Sequence, residues 1–166
     1  PLVFLDSAAS SQRPTPVLDA MDEYYRHHHA NVHRAAYTLA EEATNAMEAA
    51  RATTAAFIGS TDPDEIIFTK NATESLNLVA RSWGGANLRA GDAVLLTQLE
   101  HHANIVPWLQ LAQERDLEIR WVPLTPEGKL DLTDLDRLLD GVKLFALSAM
   151  SNVVGTLTPV RHLTDR

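Results

Sequence analysis

Apolar positions in the first sixty residues recur at helical spacing. Val17, Leu18, Met21, Tyr24 and Tyr25 share one face of a segment that opens Thr15-Pro16, a cap residue followed by proline, and predict an amphipathic helix over Thr15–His28. After the irregular stretch HHHANVHRAAY, Thr38 and Glu41 have the spacing of a capping box, and an alanine-rich helix is expected to run to about Phe57 before Gly59 stops it. Short apolar runs then take over. EIIFT (Glu65–Thr69), AVLLT (Ala93–Thr97), EIRWVPL (Glu118–Leu124) and KLFALSA (Lys143–Ala149) read as strands. Helical patterns separate them: one from Asn71 with Leu76, Val79, Ala80 and Trp83 inward, one over Ile105–Glu114, and one capped by Thr133.

Strands joined through helices imply parallel pairing with crossover connections. The expected architecture is a three-layer α/β domain preceded by a helical N-terminal arm. With 166 residues and 45% hydrophobic content, the chain has enough material for a packed core. A net charge of −8 without clustered Lys or Arg argues against nucleic acid or an anionic membrane as a partner. No apolar run approaches the roughly 18–20 residues of a membrane span, and a soluble cytoplasmic protein is expected. The absence of cysteine excludes disulfides and thiolate metal sites within these residues. The chain starts at Pro1 without a methionine and stops at Arg166 inside a helical pattern, so a piece of a longer polypeptide is expected.

Ligands of open parallel sheets bind beyond the carboxyl ends of the strands. Three loops take that position: KNATES after Thr69, QLEHHAN after Thr97 and MSNVVGT after Ala149. In the first, Asn71 and Glu74 have capping-box spacing, which leaves Ala72 and Thr73 in the first helical turn. Their free N–H groups and the Thr73 hydroxyl suit an anion, although an ordinary capped helix has the same pattern. In the second, His101 and His102 are adjacent and face different ways, a poor arrangement for one metal ion. A ring against a planar ligand, a general base and a purely structural histidine all stay open. In the third, Asn152 offers an amide that both donates and accepts, beside the flexible Gly155. The His27, His28, His29 and His33 group lacks the helical continuity that would make its members converge on a metal. Arg34 next to it can fork onto a carboxylate.

LDSAASSQRP, HHANVHRAAYTLA, FTKNATESLNLVARSWG, LRAGDAVLLTQLEHHANIVPW and LSAMSNVVGT together closely resemble the N-terminal half of the class V aminotransferase-fold cysteine desulfurases of the SufS/CsdA, selenocysteine-lyase-like type. The resemblance runs through essentially the whole chain. It implies a partial large domain of the PLP-dependent transferase-like fold (fold type I), with residues 1–37 as N-terminal arm and helix and 38–166 as the partial cofactor-binding domain. It also implies a homodimeric enzyme that uses pyridoxal 5′-phosphate (PLP) to remove sulfur from L-cysteine, leaving L-alanine and a persulfide for a sulfur-acceptor protein and for iron-sulfur cluster supply. By the same resemblance, Thr73 contacts the cofactor phosphate with the Ala72 backbone beside it. His101 stacks on the pyridine ring and is placed for proton transfer, and Asn152 lies near the 3′-oxygen and the substrate carboxylate. His33 and Arg34 match the loop toward the site entrance and the dimer partner, and Ala8 and Ala9 match the segment lining the substrate side. No metal site is implied.

The pattern departs in one respect. Lys70, Lys129 and Lys143 are the only lysines, and none stands in the family's Ser-x-His-Lys pattern. The cofactor-anchoring lysine, the acidic partner of the pyridine nitrogen and the persulfide cysteine are expected beyond Arg166, and these residues alone are expected to be inactive. Another class V enzyme, such as a selenocysteine lyase or an epimerase, and a catalytically incomplete binding module are the alternatives.

Overall fold

The computed structural model describes residues 2–34 and 36–166; Pro1 and Ala35, both in the expected N-terminal arm, lie outside the described residues. The chain clusters into two compact units, Pro1–Phe68 and Thr69–Arg166. By contacts the long second helix therefore belongs with the residues before it, while the division at residue 37 stands as a proposal about domain organisation.

In the first unit, α1 (Thr15–Glu23) continues through a wider π turn, Tyr24–His28, so the helical span matches the expected one. The cap differs. Pro14 is the N-cap residue, and Thr15 is already helical. Helix α2 (Thr38–Ile58) ends on Gly59, whose φ of 81° is the left-handed conformation that a helix stop favours. Its expected capping box does not form: Tyr37 takes the cap position, and Thr38 enters the helix without a side-chain cap bond. Ala40, Ala43 and Ala55 are its buried residues, small enough for close approach. Glu65–Thr69 is not a strand. Pro63–Glu65 forms a 3₁₀ turn, and the residues after it find no ladder partner among the described residues, without which an extended apolar run is not a sheet member. Arg51 instead covers this segment, donating to the Ile66 carbonyl and lying 5.5 Å over the Phe68 ring.

The second unit contains the sheet. Strands β1 (Ala93–Thr97), β2 (Glu118–Val122) and β3 (Val142–Ala146) are all parallel in the order β2-β1-β3. Ala93 faces Glu118 and Thr97 faces Val122 across one ladder; Val94 faces Leu144 and Leu96 faces Ala146 across the other. All five residues of β1 are buried, which is why AVLLT shows no polar alternation. Its side chains divide between two cores by strand alternation. Val94 and Leu96 pack with Ala80, Leu88, Trp108 and Leu111; Leu95 packs with Val122, Leu130, Leu135 and Leu163. Helices α3 (Ala72–Val79, extended through a π turn at Ala80–Gly84) and α4 (Val106–Arg115) supply the first layer. Helices α5 (Leu135–Leu139) and α6 (Val160–Thr164) supply the other, which makes the expected three layers. Each fully buried leucine in these cores contributes roughly 1.5–3 kcal/mol.

Two local expectations fail. On α3 and its extension Ala80 is buried, but Val79 and Trp83 remain about two-fifths exposed. Thr133 does not cap α5. Its hydroxyl and N–H donate to the Asp131 carboxylate at 2.6 and 3.0 Å, bonds that hold that carboxyl below its ordinary range, and the helix starts two residues later.

Gly84 is where α3's extension meets α4. A Cβ at Gly84 would sit 2.8 Å from Leu111 Cδ2 and 3.3 Å from the Trp108 ring, both buried, whereas at Gly85 the nearest atom is the Arg115 guanidinium at 3.8 Å. Helix propensity favours alanine at both by about 1 kcal/mol, but overpacking a core costs about 1–3 kcal/mol. Gly84→Ala is therefore expected to lower stability by about 1 kcal/mol and Gly85→Ala to leave it equal or higher, as read from urea unfolding midpoints.

Candidate functional site

Strands β1 and β3 are parallel neighbours, so the loops leaving their carboxyl ends lie side by side. The Glu100 carboxylate joins them. Oε1 accepts from the Thr97 hydroxyl at 2.6 Å and the Ser148 N–H at 2.8 Å; Oε2 accepts from Asn104 Nδ2 and the Ser148 hydroxyl, both at 2.7 Å. The bonds continue inward. Asn104 is buried, and its Oδ1 accepts from the indole N–H of buried Trp108 at 3.2 Å. On the other side, Gln98 ties the loop to the end of β2, its N–H donating to the Val122 carbonyl and its Oε1 accepting from the Leu124 N–H.

His101 follows Glu100 and caps the 3₁₀ turn His102–Asn104. Its backbone is extended (φ −69°, ψ 146°), and its Nδ1 accepts from the Ala103 N–H at 3.0 Å. An acceptor at Nδ1 leaves the proton of the neutral ring on Nε2, which then points a donor outward. The His102 ring stands 6.4 Å away, centroid to centroid, and nearly perpendicular at 80°. The ring planes are crossed, but both histidines border the same cleft, so adjacency does not keep His102 out of it as the sequence led one to expect.

The N-terminus of α3 meets this turn. Asn71 caps it, Oδ1 accepting from the Glu74 N–H at 2.9 Å. The reciprocal bond is shifted by one residue from the expected capping box: Glu74 Oε2 accepts from the Lys70 N–H at 2.8 Å, because Asn71 is fully extended (φ −170°) and turns its own N–H away. Glu74 uses its amide on the cap, while Ala72 and Thr73 lead the helix with no intrahelical acceptor for their N–H groups. Thr73 and Asn77 of α3, His101, His102 and Ala103 of the loop after β1, and Val106 and Pro107 at the start of α4 line one cleft of about 310 Å³, in the range of small-ligand sites. Thr73 and His101, read from sequence as an anion contact and a ring contact, are thus brought together with Ala72 at the same helix end.

The remaining predicted residues lie elsewhere. Asn152 is exposed in a tight turn where the buried Ser151 hydroxyl accepts from the Val153 and Val154 N–H groups, and it is not among the residues lining the cleft. Its loop reaches the site through Ser148, bound by Glu100. Ala8 and Ala9 form an exposed turn in the first unit, the Ala9 N–H donating to Asp6. His33 has a positive φ of 65°, gives its N–H to Thr44 Oγ1 at 3.0 Å, places Nε2 3.2 Å from Glu48 and lines a separate cleft with Tyr37 and Glu41; Arg34 is exposed beside it. Within the four-histidine group, His27 and His28 lie against Glu23, and His28 also against Glu42.

Sequence reading assigned no role to Glu100, Asn104 or Ser148. The available signal was a carboxylate three residues beyond a fully buried strand and next to the buried Leu99, where burial demands partners.

The family model described as aminotransferase class-V matches residues 3–166. A cysteine desulfurase of Serratia proteamaculans (strain 568) is 53% identical over 165 residues, covering 99% of this chain and 41% of that protein. One from Escherichia coli O7:K1 is 46% identical, covering 98% of this chain and 40% of its own. Among solved structures, an apo cysteine desulfurase from Thermococcus onnurineus NA1 superposes with a TM-score of 0.92 at 40% identity, covering 98% of this chain and 40% of that chain. The cysteine desulfurase CsdA from Escherichia coli superposes at 0.81 and 34% identity, over 96% and 40%. The chain thus spans about two-fifths of the length of these relatives. The likeness bears out the fold class read from the sequence, a partial large domain of the PLP-dependent transferase-like fold.

The cap geometry separates two roles of His101. His101→Ala removes both cap and ring and is expected to cost about 1 kcal/mol in urea unfolding, whereas His101→Asn, whose Oδ1 reaches the Ala103 N–H, should stay within about 0.5 kcal/mol of the parent.

Proposed function

The chain belongs to the aminotransferase class-V family, and on that premise we propose that it carries the cofactor-facing part of a PLP-dependent cysteine desulfurase. The whole protein would convert L-cysteine to L-alanine and pass the sulfur to a persulfide, for transfer to an acceptor protein and use in iron-sulfur cluster assembly. The observation that carries this reading is the cleft joining the open helix end at Thr73 to the His101 ring. PLP is a planar heteroaromatic ring with a phosphate tail, and the donor set fits it. The amides of Ala72 and Thr73, the Thr73 hydroxyl and the positive end of the α3 dipole suit the phosphate; the imidazole suits the ring face. When bound, PLP supplies an electron sink that lets bonds at the substrate's α-carbon and side chain break.

His101 serves in this reading both as the plate against the ring and as the proton carrier, with Nδ1 held by Ala103 and Nε2 free to exchange. Asn152 is assigned to the cofactor's 3′-oxygen and the substrate carboxylate, for which its free amide is suited. Ala8, Ala9, His33 and Arg34 are assigned to the substrate entrance, the last two toward a second copy in a homodimer. The reading places the protein in the cytoplasm. Because Lys70, Lys129 and Lys143 stand outside the Ser-x-His-Lys pattern, the covalent anchor is assigned to the rest of the whole protein.

Two measurements test this on the whole protein. PLP titration followed by visible absorbance should show binding that Thr73→Ala weakens about tenfold or more, the loss of one charge-assisted hydrogen bond. L-Alanine release from L-cysteine should fall about 10²- to 10⁴-fold in His101→Asn, which keeps the cap and loses the ring. A whole protein that neither binds PLP nor forms alanine overturns the reading.

A further inference from the structure

We propose that Glu100 is the positioning residue of this site, an acceptor-only clamp that fixes where the His101 ring stands and holds the loop after β3 against it. His101 lies within a staple. Glu100 precedes it and Asn104 closes the same turn, and their side chains bond each other at 2.7 Å while the Asn104 N–H returns to the His101 carbonyl at 2.8 Å. The segment that carries the ring is thereby closed at both ends. The same carboxylate reaches across 48 residues of chain to take both the N–H and the hydroxyl of Ser148, so the 147–156 loop is held to the ring's own anchor. The cofactor readout rests on the desulfurase reading; the clamp itself does not.

The arrangement requires a carboxylate rather than any polar side chain of that length. Four donors converge on it, and two have no alternative role: the Ser148 backbone N–H cannot accept, and Asn104 is oriented with its amide nitrogen toward Glu100 by the Trp108 indole on its oxygen. An amide at position 100 must set its NH₂ against one of these two in either orientation. If it faces Ser148, two N–H groups oppose. If it faces Asn104, either two NH₂ groups oppose or Asn104 turns over and Trp108 loses its acceptor. Glu100→Gln, ordinarily close to isosteric, therefore breaks the clamp.

The same logic specifies a repair. With Asn104→Asp added to Glu100→Gln, the carboxylate moves to position 104. The new amide donates to it, the Trp108 indole keeps an acceptor, the remaining amide oxygen accepts from Thr97 and the Ser148 N–H, and the Ser148 hydroxyl reverses to accept. The charge of the network is unchanged. Asn104→Asp alone sets two carboxylates at hydrogen-bond distance, and at a pH where both are ionised their repulsion breaks the clamp as well.

The experiment compares the parent, both single variants and the double variant of the whole protein. Amide hydrogen exchange at Ser148 and the His101 ring proton shifts read the clamp; visible circular dichroism of bound PLP and kcat against KM read the site. Each single variant should exchange Ser148 about tenfold faster, shift the His101 ring signals, weaken the cofactor's dichroic band and lower kcat about tenfold with KM little changed. The double variant should restore all four to within about twofold, the signature of coupled rather than independent sites. A Glu100→Gln protein indistinguishable from the parent, or a double variant no better than either single, overturns the proposal. A parent that shows no cofactor signal overturns the desulfurase reading, and the exchange and ring data then decide the clamp.

Discussion

A strand paired on both edges and covered on both faces has nowhere along its length to carry chemistry. β1 is such a strand: parallel neighbours on either side, five buried residues and a separate hydrophobic core on each face. Everything polar that the sequence places near it is therefore pushed to its ends. At the carboxyl end, Thr97 is the last residue of the strand, and its hydroxyl both accepts from the Leu99 N–H and donates to Glu100, turning the chain from sheet pairing to loop bonding within three residues. The site begins where the sheet's own hydrogen bonds stop.

Beyond that point, order passes from core to surface one bond at a time. Trp108 is packed in the core, its indole orients Asn104, Asn104 orients Glu100, and Glu100 holds Ser148. Each step is a bond from a buried or half-buried group to one nearer the solvent, so an exposed ring such as His101 inherits a fixed base without being buried itself. The same core residue limits Gly84, whose missing side chain leaves room for Trp108 and Leu111. Helix packing and loop geometry are thus two consequences of where one indole lies.

The parts legible in the sequence were those fixed by local pattern. The limits of β1, the helical span from Thr15 to His28 and the Asn71 cap derive from apolar runs, helical periodicity and side-chain length, all short-range properties. The misses needed a partner that the pattern does not name. Glu65–Thr69 has strand composition but no strand beside it among the described residues, Thr133 donates to Asp131 rather than accepting from a helix N-terminus, and Thr38 lost the cap position to Tyr37. The candidate site divides the same way. Thr73 and His101 were singled out because each follows a predicted strand in a loop or first helical turn and matches the family resemblance, whereas Glu100 looked like loop polarity, since its bonds depend on Ser148, a residue 48 positions away.

In the proposed reading, His101 serves two of the roles that the sequence left as rivals. As a cap it keeps an acceptor at Nδ1, and as a ring over a planar ligand it would present its face and its second nitrogen; an imidazole can do both because its two nitrogens lie in the ring plane at separate edges and leave the faces free. The cap bond removes the freedom to choose the tautomer and narrows the freedom to rotate, which is what proton transfer at a defined atom needs. The residue before it makes the combination stable: a ring capping an unanchored turn would move with that turn, and the four bonds to Glu100 prevent it.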